Sequence, residues 1–582
     1  MAEEKLFVRK ATGLVREIGA VTAVIIVLAN TIGLGWQKRV FQYTGRAPLP
    51  ENQYLAGIPP MTMAFIIGGA AILLSVLAVS VLSSAMPRSG GGYVVISRTI
   101  GPVWGFLGAW LEFLSIAWSF GIIAVAVFEG IYGIMGPIAF GPFPLGANAF
   151  GSNVTDVILF SGGLVLVLVF TVIGIFGIKL TGALLQAMFW VPAVLTFYVF
   201  GLLSQANPTT VTQGMTNILG HSPIEYVNAA LAQGLDKAGT SAGGYWGAVF
   251  TAMVGAYFAY IGYAASTFVA GEIKEANKSL PRTLVLASVL IIALYVSISI
   301  IAANAIKGLG TVTVNGNSYS LLSAWSYLSY GGGVLGNTAT PPNSLPAVKL
   351  WTTTVAGLTG SGINLGSVNF LLVIFGVFWI ANDIPPFILT ASRILFAMSF
   401  DRVLPTPLSN INDRFHSPVN AVIVTGIVGI LGCFSESGIV DAGTGSWNLG
   451  GNVLLGQILS SSGGVAITDF YDSLFFTLFT LSLVILPLRA SRRQIFETAP
   501  YKPGGKWGMV ILGILGLAAN LSVDYIFAFA KYGDFELSQP SPDTYAIIFF
   551  FAVAVIGVVV YYVHRLRRGI NYSTIFAQIP PE

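Results

Sequence analysis

The stretch Ala29-Asn30-Thr31-Ile32-Gly33-Leu34-Gly35-Trp36 lies in the first long apolar run of the chain, residues 17–36. A run of about 20 apolar residues has the length of one helical crossing of a bilayer. Two glycines one residue apart weaken that helix, each by roughly 1 kcal/mol relative to alanine. A broken helix frees backbone N–H and C=O groups, and in hydrocarbon these must be satisfied by protein, water or ligand. Half-helix N-termini favour a carboxylate, whereas freed carbonyls favour an ammonium or a metal cation. The sixth apolar run repeats the signal in Tyr257-Phe258-Ala259-Tyr260-Ile261-Gly262-Tyr263. Glycines in the first helix of each five-helix half point to a binding site near the midplane. From the pattern alone, close helix packing through the glycines explains them equally well.

Outward from these two stretches, composition decides the class. The 582 residues are 55% hydrophobic and only 9% charged, against about a quarter charged in soluble domains. So few charges cannot cover a soluble surface of this size, and a bilayer removes the need. Twelve apolar runs are long enough to span: 17–36, 61–86, 102–135, 156–177, 182–204, 247–271, 283–306, 366–400, 419–436, 469–488, 508–528 and 544–563. The runs 102–135 and 366–400 exceed one crossing, so they tilt, break or extend into water. With the N-terminus placed in the cytoplasm, 21 of the 28 Lys and Arg fall in inside segments and 7 outside. That bias puts both termini in the cytoplasm, with a short leading segment 1–16 and a tail 564–582. The net charge of +4 calls for no nucleic-acid partner. The single cysteine, Cys433, excludes an intramolecular disulfide and a thiolate metal cluster. His221, His416 and His564 fall in loops or at a helix end, which argues against a buried histidine relay. The outer loop 307–365 contains the charge-free stretch 308–348, read as a flexible or small folded cap, or as a surface that does not titrate in an acidic exterior.

Acids inside the spans are costly, so they pair, hold a proton or face a cavity. Glu112, in Trp110-Leu111-Glu112-Phe113, is a candidate for proton coupling or for recognition of a cationic substrate, or else a structural hydrogen-bonding group. Asp383 precedes Pro385 and Pro386, whose rings remove backbone donors and break the turn before them. Freed carbonyls and that acid would suit Na⁺ or a proton, and a simple kink is the alternative. Asp469, Asp472 and Asp524 lie near span ends and read as interface acids. Gly90-Gly91-Gly92 is followed by no Gly-Lys-Ser/Thr, so it is not a phosphate loop. Glu272 and Lys274 with Arg88 and Arg393 would make either an inner gate or an ordinary basic inside loop.

Four segments together resemble the amino acid–polyamine–organocation family of permeases. They are Ile32-Gly33-Leu34-Gly35; Pro87-Arg88-Ser89-Gly90-Gly91-Gly92-Tyr93-Val94 with Gly105-Phe106-Leu107; Tyr260-Ile261-Gly262-Tyr263 leading to Ala270-Gly271-Glu272-Ile273-Lys274 and Leu280-Pro281-Arg282; and Ser392-Arg393-Ile394-Leu395-Phe396-Ala397-Met398 with Asp401-Arg402-Val403-Leu404-Pro405 and Ser417-Pro418-Val419-Asn420-Ala421. They span roughly residues 14–510. The resemblance implies an all-α polytopic membrane protein of twelve helices. Its core is a 5+5 inverted repeat (17–204 and 247–488) with helices one and six broken, followed by two C-terminal helices (508–563). It implies that Thr31, Ile32, Gly33, Leu34 and Gly35 hold a substrate carboxylate. Phe258, Ala259, Tyr260 and Gly262 would close over the substrate and receive its amino group, and Ser115 and Phe120 would form the side wall. The implied activity is secondary active uptake of an amino acid or related amine by alternating access at the plasma membrane. Exchange against an intracellular amine is the alternative, and a transporter-fold sensor stands further off. No enzyme chemistry, cofactor or assigned metal is expected beyond a coupling proton or Na⁺, with Glu112 and Asp383 as coupling candidates.

Three departures from the family pattern bear on mechanism. Leu34 replaces the usual small residue between the glycines and Trp36 follows it, so the pocket loses volume and a hydroxyl. Ala264 stands where many members carry a glutamate. Pro192 stands where proton-coupled members often carry a lysine, so coupling through that lysine is unavailable.

Overall fold

A computed structural model describes residues 13–131, 152–331, 346–362, 366–437, 439, 461–531, 533–568 and 575–580. Parts of the expectations above fall outside these residues: 1–12 of the leading segment, 132–135 of the third run, 332–345 of the uncharged loop and 569–574 of the tail.

Among the described residues, twelve helices are long and apolar enough to cross a membrane. They are TM1 Ala20–Arg46, TM2 Pro60–Ala85, TM3 Pro102–Phe128, TM4 Val157–Ile175, TM5 Ile178–Leu203, TM6 Gly244–Phe268, TM7 Ala276–Ile306, TM8 Val368–Phe400, TM9 Val419–Ser437, TM10 Ile467–Ile485, TM11 Gly505–Phe529 and TM12 Thr544–Leu566. The protein is an all-α, twelve-span membrane protein, and the even number of crossings brings residues 13–19 and 575–580 to one end of the bundle. Burial sorts the helices into two rings. The most apolar stretch of TM3 is 89% buried, against 22% for TM4 and TM12. Phe197 and Trp190 of TM5 and Ile556 of TM12 project outward, as a lipid-facing surface requires. The inner ring of TM1, TM3, TM6, TM8 and TM10 therefore holds whatever polar chemistry the bundle carries.

Three inner helices are interrupted. TM1 stops at Thr31, and Ile32 leaves the helical region with φ −86°, ψ 85° before a π-turn over Gly35–Arg39. TM6 stops at Tyr260, where Ile261 extends to ψ 141° and Gly262 takes φ +97°. TM8 is resolved into Val368–Ala381 and Ile384–Phe400 with Asn382–Asp383 between them. This is how the over-long run 366–400 is accommodated: the prolines begin a new helix, where their missing N–H costs nothing.

The end away from the termini carries a folded cap. Between TM5 and TM6 lie short helices at Pro208–Leu219, Pro223–Ala232 and Leu235–Thr240. The uncharged loop supplies a hairpin, β1 Val312–Val314 paired antiparallel with β2 Asn317–Tyr319, then helices Leu321–Ser326 and Pro346–Thr359. Asp236 joins the two segments, accepting from Asn315 Nδ2 at 2.9 Å, Asn317 Nδ2 at 3.1 Å and the Tyr319 hydroxyl at 3.0 Å. These donors, Asn315 foremost, hold its carboxyl below the usual carboxylate range.

Candidate substrate site and its two closures

The breaks in TM1 and TM6 face each other and are tied by one phenol. The Tyr295 hydroxyl of TM7 donates its proton between Thr31 O at 2.5 Å and Ala259 O at 2.9 Å. Each is a carbonyl at the end of a helical half, left over when the helix stops. The Tyr260 hydroxyl donates to Phe65 O of TM2 at 2.9 Å. Glycine is needed where the backbones meet. A Cβ on Gly33 would lie 1.9 Å from Asp383 Oδ2, one on Gly35 would lie 2.2 Å from Ala259 Cα, and one on Gly262 would lie 2.2 Å from Asn30. The Gly-x-Gly segment is thus a close-approach surface as well as a break, and Asp383 of TM8 sits directly against it.

Beside the breaks is a small polar cavity of about 10 Å³, room for one water molecule. Asn30, Glu112, Ser115, Gly262, Thr390 and Asp472 supply its polar and backbone wall. Of the residues expected at the site, Ser115 and Gly262 line this space. Thr31, Ile32, Gly33, Leu34 and Gly35 are buried in the TM1 break itself, with Thr31 Oγ1 donating back to Val27 O at 2.8 Å. Ala259 and Tyr260 are buried in the TM1–TM2–TM7 contact. Phe258 lies under the Arg39 guanidinium, 5.5 Å from its ring centre. Phe120 packs against Gly429 of TM9. Asn30, Thr390 and Asp472 were not singled out for the site by sequence reasoning. Asn30 stands three residues before Gly33, a usable signal; the facing of Thr390 and Asp472 left none.

The intramembrane acids sort differently from their sequence positions. Asp469 and Asp472 are buried in the protein, 0% and 4% exposed, and do not sit at the interface as expected. Asp524 of TM11 accepts from the hydroxyls of Ser473 and Thr477 of TM10, the latter at 2.6 Å. Ends of spans that pack in the inner ring are as buried as their middles. Asp383 Oδ1 and both side-chain polar atoms of Asn382 are buried without a partner among the described residues. Trp36 stacks on Trp351 of the cap with ring centres 5.0 Å apart and meets Phe375 edge-on. Pro192 is buried in TM5, where its carbonyl accepts from Thr196 Oγ1 at 2.8 Å.

Buried ion pairs close the bundle on both sides of the cavity. At the termini end, Arg393 of TM8 grips Glu272 through two bonds, Nε to Oε1 at 2.8 Å and Nη2 to Oε2 at 3.0 Å, with both side chains 0% exposed. The strand-like contact of Ile18 with Glu272 and Lys274 locks the chain before TM1 onto the chain after TM6, at 3.0 and 2.9 Å. Lys274 itself is exposed and Arg88 donates to Pro580 O of the tail at 2.8 Å, while Glu272 and Arg393 form the inner pair. Arg98 and Asp401 form a second buried bidentate pair, one bond at 2.8 Å, and Phe576 of the tail lies against the Arg98 guanidinium. At the far end, Lys38 Nζ and Arg39 Nη2 of TM1 converge on Glu436 of TM9 at 2.8 and 2.6 Å.

A family model for amino acid permeases matches residues 18–575. The chain belongs to the amino acid permease family. Curated relatives of this permease include the serine/threonine exchanger SteT of Bacillus subtilis (strain 168), 23% identical over 417 residues, covering 70% of this chain and 74% of the relative. The branched-chain amino acid permease BcaP of the same organism is 24% identical over 430 residues, covering 72% and 74%. The cationic amino acid transporter 3, mitochondrial, of Arabidopsis thaliana is 24% identical over 391 residues, covering 66% of the permease and 54% of the relative. The three carry different side-chain classes in their names, so membership fixes amino acid transport and leaves the substrate to the residues around the cavity.

Proposed function

We propose that this permease takes up an amino acid or a related amine across the cell membrane by alternating access, driven by a coupled cation, with both termini in the cytoplasm. The observation that carries the reading is the small central polar cavity flanked by two buried ion-pair closures, Glu272–Arg393 on the cytoplasmic side and Lys38/Arg39–Glu436 on the outer side. Alternating access requires that each closure can open while the other holds, and two separate closures flanking one polar site provide for that. Binding energy from the substrate is coupled to the closures because Lys38 and Arg39 follow the break in TM1, Glu272 follows the broken TM6, and Arg393 lies on the interrupted TM8.

The coupling cation, a proton or Na⁺, is assigned to Asp383. Its carboxylate contacts Gly33 across TM1 and TM8, and the unpartnered Oδ1 atoms of Asn382 and Asp383 supply further acceptors. A cation there changes the charge at a contact between TM1 and TM8 that must slide when TM1 rocks. Purified protein in liposomes should accumulate a labelled amino acid under an imposed proton or sodium gradient, and Asp383→Asn should abolish the gradient dependence. Uptake only into liposomes preloaded with amino acid would instead establish an exchanger. Silence across a broad amino acid panel in every regime would refute transport.

A further inference from the structure

We infer that the permease selects a substrate with a cationic side group, an alkylammonium that docks between Glu112 of TM3 and Asp472 of TM10. The inference rests on the transport reading and adds the substrate class to it. What carries it is the polarity of the cavity wall. Glu112 is 1% exposed, lines the cavity, and its Oε2 has no partner among the described residues. Asn30 lines the same space with its Oδ1 equally unpartnered. Asp472, from the opposite helix, lines this cavity and the adjoining one toward TM11. Two hydroxyls in the wall have spent their protons elsewhere: Ser115 Oγ donates to Thr468 O at 2.8 Å, and Thr390 Oγ1 donates to Pro386 O at 2.8 Å. Each therefore turns only lone pairs to the cavity.

The wall carries two carboxyl groups and several further acceptors beside the Asn30 amide and the Ser119 hydroxyl, and no lysine, arginine or histidine is among the described lining residues. An ammonium offers three N–H donors and a positive charge to such a wall. The charge balance points the same way. A zwitterionic amino acid with a neutral side chain brings no second cation to this pair of buried acids. A substrate with one more ammonium places a cation between them. The carboxylate of such a substrate is not what the Glu112–Asp472 pair reads, so a dibasic amino acid and an aliphatic diamine share the recognised chemistry.

Three probes separate these features: L-lysine, L-norleucine, which keeps the chain and lacks the terminal ammonium, and 1,5-diaminopentane, which keeps both ammoniums and lacks the carboxylate. Thermal stabilisation of the purified full-length protein at one fixed pH reads binding without requiring transport. The expected result is half-maximal stabilisation by lysine at a concentration at least about tenfold below that of norleucine. Glu112→Gln or Asp472→Asn should narrow the difference to within about twofold. Diaminopentane matching lysine would assign a diamine, and its failure beside a binding lysine would assign a dibasic amino acid; both uphold the cation subsite. Norleucine equal to lysine in the unmodified protein would overturn it, as would a lysine preference that survives both substitutions. Should none of the three bind while liposomes accumulate another amino acid, the cation subsite fails and the transport reading stands. The wild-type comparison decides the matter even where a variant does not fold.

Discussion

The two closures are made of the same chemistry and differ in redundancy. At the termini end, one cation meets one carboxylate, Arg393 with Glu272, in a bidentate grip with both side chains fully buried. A second buried pair, Arg98 with Asp401, lies nearby, and the Ile18 contacts and the docked tail at Gln578 and Pro580 brace it. At the far end, two cations share one acid, Glu436. Lys38 and Arg39 both bind that carboxylate, and Arg39 adds a bond to Gln42 Oε1 at 3.2 Å and its contact with Phe258. The difference teaches which side is the easier to release. Loss of Glu436 at the far end leaves two like charges side by side, whereas loss of one partner at the termini end leaves a single stranded charge beside an intact second lock.

The largest expected effect is therefore on stability at the termini end. Arg393→Met strands the Glu272 carboxylate in a fully buried site and should cost about 3–5 kcal/mol, read as a fall in the temperature of unfolding in detergent. Glu272→Met combined with Arg393→Met should regain most of that stability, because it removes both charges. A double variant as unstable as the single one would show that the pair is not the unit described.

Glu436→Gln should have a smaller cost, about 1.5–3 kcal/mol for the lost charge-assisted bonds, and a directional consequence. Repulsion between Lys38 and Arg39 should open the far end. In a Cys433→Ser background, a cysteine at cavity-lining Ser119 should then react faster with a thiol reagent applied from that side. An unchanged labelling rate would break the comparison of the two closures.

The smallest effect concerns the cap over the far end. The hydrogen bonds to Asp236 lower its folded pKa, so its contribution is present above the ordinary aspartate value of about 3.9 and lost as pH falls through the lower folded value. Hydrogen exchange in the hairpin Val312–Tyr319, taken relative to the intrinsic amide rate at each pH, should be unchanged between pH 7 and 5 and rise only in stronger acid. Asp236→Asn should raise it at pH 7. Exchange that rises already near pH 5 would place the cap's pH response elsewhere.

The sequence alone determined the bundle, its twelve spans, the helix breaks and the family motifs. These are local quantities: apolar length adds along the chain, and a glycine weakens its own helix wherever that helix packs. Tertiary structure decided which polar groups meet. Glu272 and Arg393, grouped in the sequence with Lys274 and Arg88 as an inner gate, are 121 positions apart, and packing decided which of the four pair; Arg39 and Glu436 are 397 apart, and the sequence carries no trace of that pairing. The same holds for Asp472, read from its position as an interface acid and placed by the fold on the wall of the cavity. Where a side chain points depends on the rotation of each helix about its axis, and that rotation is set by the packing of all the inner-ring helices at once. Trp36 makes the point from the other side. In sequence it crowds the binding segment, and in the folded protein it turns away to stack on Trp351 of the cap.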